Sequence, residues 1–235
     1  LALGALALAG CQTTAEKSAK LERAARRHAL VSASGLSIAH TSSEVKVTAT
    51  SVLRSAEGAV AIVELRNHSG HALRNVPLAL TVKDARGGTL YQNNAAGLEA
   101  ALVSVPSLPA HASFTWVDDQ IPAKGAPAAV SARIGTAPAV PGSLPILTVS
   151  GVHPIEDPAN GAGAAGTVSN RSGVTQTNLV VFGVARRAGR IVAAGRAVLP
   201  EVAAGSQMPV QIFLAGDPHG AQLQLSAPAN SVGHP

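Results

Sequence analysis

The sequence is poor in cysteine, aromatic residues and charge. Cys11 is the only cysteine, so no disulfide can form within the chain and its domains must be held by packing. Aromatic residues make up 2% of the chain, with one Trp and one Tyr, which argues against sugar binding by stacking. The apolar run at residues 1–10 is about half of the roughly twenty residues that a membrane span needs.

The net charge of +5 is concentrated near the start of the chain. Residues 12–40 carry five basic and two acidic side chains, whereas the rest of the chain is close to neutral. A nucleic-acid-binding protein would concentrate its charge on a folded face, so no nucleic-acid partner is expected. Sparse charge combined with abundant Val, Leu and Ala predicts folded domains rather than disorder.

Residues 1–10 contain only Leu, Ala and Gly and lead directly to Cys11. Such a run is typical of the apolar region and cleavage zone of a secretory signal. It resembles a bacterial lipobox, which implies cleavage before Cys11, acylation of its thiol by a fatty acid such as palmitate, and a place on the extracytoplasmic face of a cell membrane. Without an initiator Met or a basic leader, we expect the sequence to begin inside the signal. The alternative is an ordinary signal peptide that precedes a free cysteine.

Residues 11–43 are predicted to form a lipidated tether that is partly helical. Glu16 with Lys20, and Glu22 with Arg26, have the i,i+4 spacing that stabilises a helix. The basic side chains could rest on anionic headgroups, or they could belong to a solvated spacer.

Short β-branched and alternating runs begin at residue 44 and predict a mostly β fold. They form two groups, residues 44–136 and 145–228, joined by a Pro/Gly-rich linker at 137–144 and followed by a flexible tail at 229–235.

The two groups resemble each other in sequence. Asn67-His68-Ser69-Gly70 matches Asn170-Arg171-Ser172-Gly173 at an offset of 103 positions (170 − 67). Later matches have a smaller offset, which predicts an insertion around residues 92–101 of the first group. Six or seven strands in under a hundred residues predict an immunoglobulin-like sandwich in each group, hence two tandem sandwiches after a short helical tether.

At these turns the chain resembles the tandem immunoglobulin-like modules of bacterial surface lipoproteins, namely the FxLYD and CARDB-like groups, although the FxLYD signature itself is not intact. The resemblance implies a binding or spacer role and supplies no catalytic residue.

Three motifs contain residue types that can carry chemistry. Residues 161–166 spell GxGxxG, but no helix is predicted after them, so a flexible hairpin loop is favoured over a dinucleotide site. His68 and His71 are interpreted as exposed turn residues rather than metal ligands. Asp118 and Asp119 are interpreted as a solvated strand end rather than a calcium site. The sequence therefore predicts no catalytic residue, no metal and no cofactor.

Four arginines lie on or beside one predicted hairpin and are the candidate partner-binding residues: Arg186, Arg187, Arg190 and Arg196. The alternative is that these charges protect an edge strand from aggregation.

These patterns predict a lipid-anchored lipoprotein of the cell envelope. Its expected role is non-enzymatic binding or scaffolding towards an envelope protein or polymer. An envelope hydrolase with a cryptic active site and a metal-handling protein are the alternatives.

Overall fold

A computed structural model describes residues 35–55, 58–122 and 125–232 of the chain. The described chain is mostly antiparallel β structure, arranged as two immunoglobulin-like β-sandwiches in tandem. The predicted helical tether and the lipid-attachment residue Cys11 lie outside the described residues, apart from the last part of the tether.

The described residues of the first domain form seven strands and one short helix. In chain order they are β1 (Val45–Arg54), β2 (Ala59–Asn67), β3 (Leu73–Asp84), β4 (Thr89–Gln92), α1 (Ala100–Val103), β5 (Ser104–Leu108), β6 (Ser113–Ile121) and β7 (Pro127–Ile134). One sheet has the order β1-β2-β6, and in the other β3 pairs with β4, β5 and β7.

The second domain contains the remaining seven strands. They are β8 (Leu147–Asp157), β9 (Gly161–Asn170), β10 (Gln176–Arg187), β11 (Arg190–Val202), β12 (Gln207–Phe213), β13 (Ala215–Gly216) and β14 (Gln222–Ser226). One sheet has the order β12-β9-β8 and the other β13-β11-β10-β14.

Asn67 and Asn170 occupy equivalent places in the two domains and are both buried. The Asn67 amide donates to the carbonyls of His71, Leu108 and Pro109, and its oxygen accepts from Ser69. The same pattern recurs at the second asparagine. Its amide donates to the carbonyls of Val174, Val202 and Ala203, and its oxygen accepts from Ser172. The shared Asn-x-Ser-Gly motif therefore fixes the same corner in both sandwiches.

The predicted insertion lies between β4 and β5. In the second domain the single strand β11 pairs with β10 along its whole length. In the first domain this strand is split, because β5 pairs with the start of β3 and β4 with its end. The intervening residues 93–103 leave the sheet and include α1.

A left-handed asparagine interrupts the same strand in each domain. Asn75 and Asn178 have φ values of 48° and 50°. Asn75 lies opposite Pro106 on β5, and Asn178 lies opposite Pro200 on β11. Neither asparagine is paired with the proline opposite it, although the residues on both sides are paired. Proline has no N–H to donate, and asparagine adopts left-handed φ more readily than most residues, so the strand pairing is interrupted here without a change of register.

Residues 161–166 are part of a strand, so the hairpin loop predicted for the GxGxxG motif is wrong. β9 begins at Gly161 and pairs with both β8 and β12. Glycine is needed because of close packing: a Cβ at Gly163 would lie 2.3 Å from the carbonyl oxygen of Ile212.

The Pro/Gly-rich linker is partly attached to the first domain. Ala139 forms a β-bridge with Leu73, and the N–H of Val140 donates to the carbonyl of Ala72. The Val140 side chain is buried. These contacts restrict how far the second domain can move relative to the first.

Candidate binding cleft between the two domains

Strand β10 contributes to two apolar cores at once. Leu179 and Val181 belong to the core of the second domain. Val180 and Phe182, which point the other way because side chains alternate along a strand, belong to a core formed mainly by the first domain. The sheet faces of the two domains are therefore packed together through a continuous apolar interface. Phe182 also meets Phe114 edge to face, with ring centroids 5.2 Å apart.

Two ion pairs cross this interface. The Arg196 Nε donates to Asp119 Oδ1 at 2.9 Å, and the main-chain N–H of the same arginine donates to Asp119 Oδ2 at 2.9 Å. Arg186 is ion-paired with Glu64 on β2 and also contacts the Thr115 hydroxyl. The Arg196 side chain is only 3% exposed, so its charge depends on Asp119 for compensation.

A cleft of about 520 Å³ opens where the two packed faces diverge. Such a volume falls in the range of small-ligand sites. Both domains contribute to its wall, and the lining residues are Asn75, Glu99, Ala100, Ala101, Ser104, Pro106, Thr177, Asn178, Val180, Val198 and Asn230. The two equivalent left-handed asparagines therefore face the same hollow.

The insertion builds one wall of the cleft and is held rigidly. The Trp116 indole donates to the carbonyl of Ala101 at 2.9 Å. Buried Asn93 donates to the carbonyls of Leu78 and Leu102 and accepts from the N–H of Leu80. Trp116 itself is fully buried.

The opposite wall is fixed by a buried glutamine. Gln176 accepts hydrogen bonds from the N–H groups of Asn230 and Ser231 and donates to the carbonyl of Ser231. Asn230 in turn donates to the carbonyls of Thr177 and Asn178. The segment after β14 is thereby tied to the start of β10, so the cleft has defined walls on both sides.

Asp118 and Asp119 do not form a solvated strand end, and that prediction is wrong. Strand β6 continues to Ile121, and alternation sends the two carboxylates in opposite directions. Asp119 meets Arg196, whereas Asp118 is fully buried near the Tyr91 hydroxyl, with the Gln120 N–H donating to it.

Burial dominates the electrostatics around Asp118. Burial raises the pKa of the Asp118 carboxyl from 3.8 to about 6, although the Gln120 N–H and the charge of Arg196 act in the opposite direction. Burial, together with the nearby Asp118 charge, raises the pKa of Tyr91 from 10.0 to about 12. Asp118 therefore gains a proton more readily in the folded chain than in the unfolded one.

An exposed histidine cluster joins two loops of the second domain. His219 Nδ1 lies 2.7 Å from Asp217 Oδ1, and its Nε2 lies 2.6 Å from Glu156 Oε1. Hydrogen bonds to these carboxylates, Asp217 first, raise the pKa of His219 above 6.5. Hydrogen bonding to His219 lowers the pKa of Asp217 to about 2. These contacts link the β8–β9 hairpin to the segment before β14.

The four candidate arginines do not form one stripe. Arg186 and Arg196 face the first domain and are ion-paired there, as described above. Arg187 pairs with Asp217, with its Nη2 3.2 Å from Asp217 Oδ2. Arg190 is exposed at the β10–β11 turn.

The histidines of the first domain lie on the surface. His68 and His71 are exposed, and His71 Nε2 lies 3.3 Å from Glu44 Oε1. Within residues 35–55, 58–122 and 125–232, no three His, Cys, Asp or Glu side chains are grouped as metal ligands.

Sequence reasoning missed the interface, although a signal was present. Residues 59–63 and 179–185 are uninterrupted apolar runs, apart from Gly183, rather than alternating ones. Such runs are typical of strands buried on both faces. The cleft residues gave no comparable signal, because they come from five separate segments.

The fold and the cleft define a two-domain β-sandwich protein whose domains are packed face to face around a shared hollow. No family model matches the sequence, and no curated protein resembles it closely enough to count as a match. In the described part of the chain, no helix has the length and apolar character to span a bilayer.

Proposed function

We propose that the protein is a lipid-anchored component of the bacterial cell envelope that acts as a non-enzymatic binding or scaffolding unit. The anchor is Cys11, and the partner is a protein or polymer on the extracytoplasmic side of the membrane. The observation that carries the binding role is the cleft of about 520 Å³ between two domains joined by a shared apolar core and by ion pairs.

The interface supports a binding role because it makes the cleft a preformed site. Asp119, Arg196 and Phe182 fix the relative position of the two domains. A preformed site loses less conformational entropy on binding than a flexible one, so more of the contact energy becomes affinity.

The anchor is supported by residue chemistry at the start of the chain. A run of Leu, Ala and Gly followed directly by the only thiol has the composition that lipid transfer and cleavage require. The excess positive charge at residues 12–40 would add electrostatic attraction to anionic lipids, and stable attachment usually needs two such contributions.

Mass spectrometry of the protein isolated from its native membrane tests the anchor. We expect a chain that begins at Cys11 and carries acyl groups on that residue. Cys11→Ser should move the protein to the soluble fraction, whereas Thr13→Ser, a control two positions away, should leave it in the membrane. A bare thiol, or residues 1–10 still attached, would refute the anchor.

Crosslinking in the intact envelope tests the binding role. A photoreactive group at position 198, inside the cleft, should capture a defined partner. The same group at position 146, which is more exposed than position 198 but lies outside the cleft, should not. Equal capture from both positions would contradict binding in the cleft.

A further inference from the structure

We propose that the cleft binds a short extended peptide segment with an apolar side chain next to a basic one. This inference rests on the proposed binding function and narrows its partner to a class of ligand. It is derived from three properties of the cleft: an exposed apolar floor, free amide groups and a single negative charge.

The floor of the cleft is the part of the interdomain sheet face that the first domain leaves exposed to solvent. Val198 lies on the same face of β11 as Ala194 and Arg196, which are covered by the first domain. Val198 itself is 47% exposed. It adjoins Val180 and Pro106, so an apolar side chain of a ligand would find a matching surface there.

The amide groups suit a peptide main chain. Asn75 and Asn178 both line the cleft, one from each domain. Neither side-chain amide is hydrogen-bonded to another residue in the described part of the chain. Each amide offers both a donor and an acceptor, which is the combination that an extended peptide presents at every residue.

The charge of the cleft favours a cation. Glu99 lines the cleft, is exposed and makes no capping hydrogen bond to α1, and no ion pair joins it to another residue in the described part of the chain. No Lys or Arg is among the described lining residues, which disfavours phosphate groups and acidic polymers. All five aromatic side chains of the sequence lie elsewhere, which disfavours a stacked sugar.

NMR titration of the full 235-residue chain with Cys11→Ser tests the proposal, because this variant stays unacylated. The probes are three blocked tetrapeptides that differ only at the central pair, Leu-Lys, Leu-Glu or Ser-Lys, together with chitotetraose as a glycan probe. We expect the Leu-Lys peptide to bind with a Kd below about 1 mM and to shift the signals of Val198 and Asn178. The other two peptides should bind at least about fivefold more weakly.

Two variants and two matched controls locate the site. Val198→Ser and Glu99→Gln should each weaken binding of the Leu-Lys peptide at least about fivefold. Ile146→Ser removes an apolar side chain that is 61% exposed outside the cleft, and Glu201→Gln removes an exposed carboxylate on β11. Neither control should change the affinity, and since all four side chains are exposed, the variants should fold.

Three outcomes would overturn the proposal. They are no saturable shift with any peptide, unchanged affinity in both cleft variants, and binding of chitotetraose to the cleft at least as tight as that of the Leu-Lys peptide. The experiments distinguish failure of the peptide proposal from failure of the proposed function. A position-198 crosslink to a partner without peptide binding would refute only the ligand class, whereas a bare Cys11 thiol would refute only the anchor.

Discussion

Asp119 and Arg196 form a two-point contact across the domain interface. One carboxylate accepts hydrogen bonds from both the main-chain N–H and the Nε of the same arginine. The Nη1 of Arg196 is buried and has no hydrogen-bond partner among the described residues. The guanidinium charge is therefore compensated mainly by Asp119, and the stability of the interface should depend on that carboxylate.

Asp119→Ala should lower the free energy of unfolding by about 2–3 kcal/mol, because it leaves a buried cation without its partner. The expected loss is at the lower end for a buried pair, since the Asp119 side chain retains 22% exposure. Urea denaturation at neutral pH measures the change. Asp217→Ala is the matched control: it removes the solvent-exposed contacts to Arg187 and His219 and should cost clearly less than Asp119→Ala. Equal losses in the two variants would contradict this interpretation.

Protonation of Asp118 should make the chain more stable as the pH falls from 7 towards 4.5. The folded-state pKa is about 6 and the ordinary value is 3.8, so between these values the folded state binds more protons than the unfolded state. By linkage, stability rises as the pH falls through this window, by a total of about 1–3 kcal/mol. Two charged groups face Asp118, namely Asp119 and Arg196, and the Tyr91 hydroxyl, whose pKa is raised to about 12, stays protonated throughout this range.

The difference between the natural chain and Asp118→Asn isolates this effect, since asparagine does not titrate. Urea denaturation at several pH values should show that the natural chain gains stability relative to the variant on acidification. A constant difference from pH 7 to pH 4.5 would show that Asp118 is not protonated in this window.

Asn67→Ala and Asn170→Ala should each lower the free energy of unfolding by about 2–4 kcal/mol, because several buried carbonyls lose their donor. Thermal unfolding of both variants measures the loss. Since the domains share an apolar core, each substitution should lower one common transition rather than one of two. Asn94→Ala, at an exposed position of the insertion, should change stability by less than about 0.5 kcal/mol. Two separate transitions would argue against cooperative packing of the domains.

Gly163→Ala should destabilise the chain by about 2 kcal/mol or more, because the new methyl group would overlap the main chain of β12 at Ile212. Gly173→Ala is the control. A Cβ there meets nothing within 4 Å, so the change should stay within about 0.5 kcal/mol. Chemical denaturation measures the free energy of unfolding of both variants. Similar values would mean that β9 and β12 can move apart to accept the methyl group without losing stability.

Much of the fold could be predicted because strand signals are local. Strands β2, β6 and β11 begin at Ala59, Ser113 and Arg190, each at the start of a short apolar or alternating run. The insertion was predictable from the change in offset between the two copies. The strand at Gly161 was not, because a glycine-rich run indicates a loop unless the neighbouring strands that require small residues are known.

The cleft could not be predicted, since it depends on how the domains pack. Asp119 and Arg196 are 77 positions apart, and nothing local to either residue indicates the other. Two adjacent aspartates, Asp118 and Asp119, are typical of a polar strand end. Nothing in the sequence indicates that Asp118 becomes buried or that Arg196 contacts Asp119. The apolar runs in β2 and β10 indicated burial on both faces but not which surfaces meet.

The shared core also bears on how this architecture evolves. In a chain of independent modules, one module can be deleted, copied or moved to another protein with little penalty. Here Val180, Phe182 and Val184 of the second sandwich complete the interior of the first. Excising either half would uncover apolar surface on the other, so the two halves are not interchangeable parts.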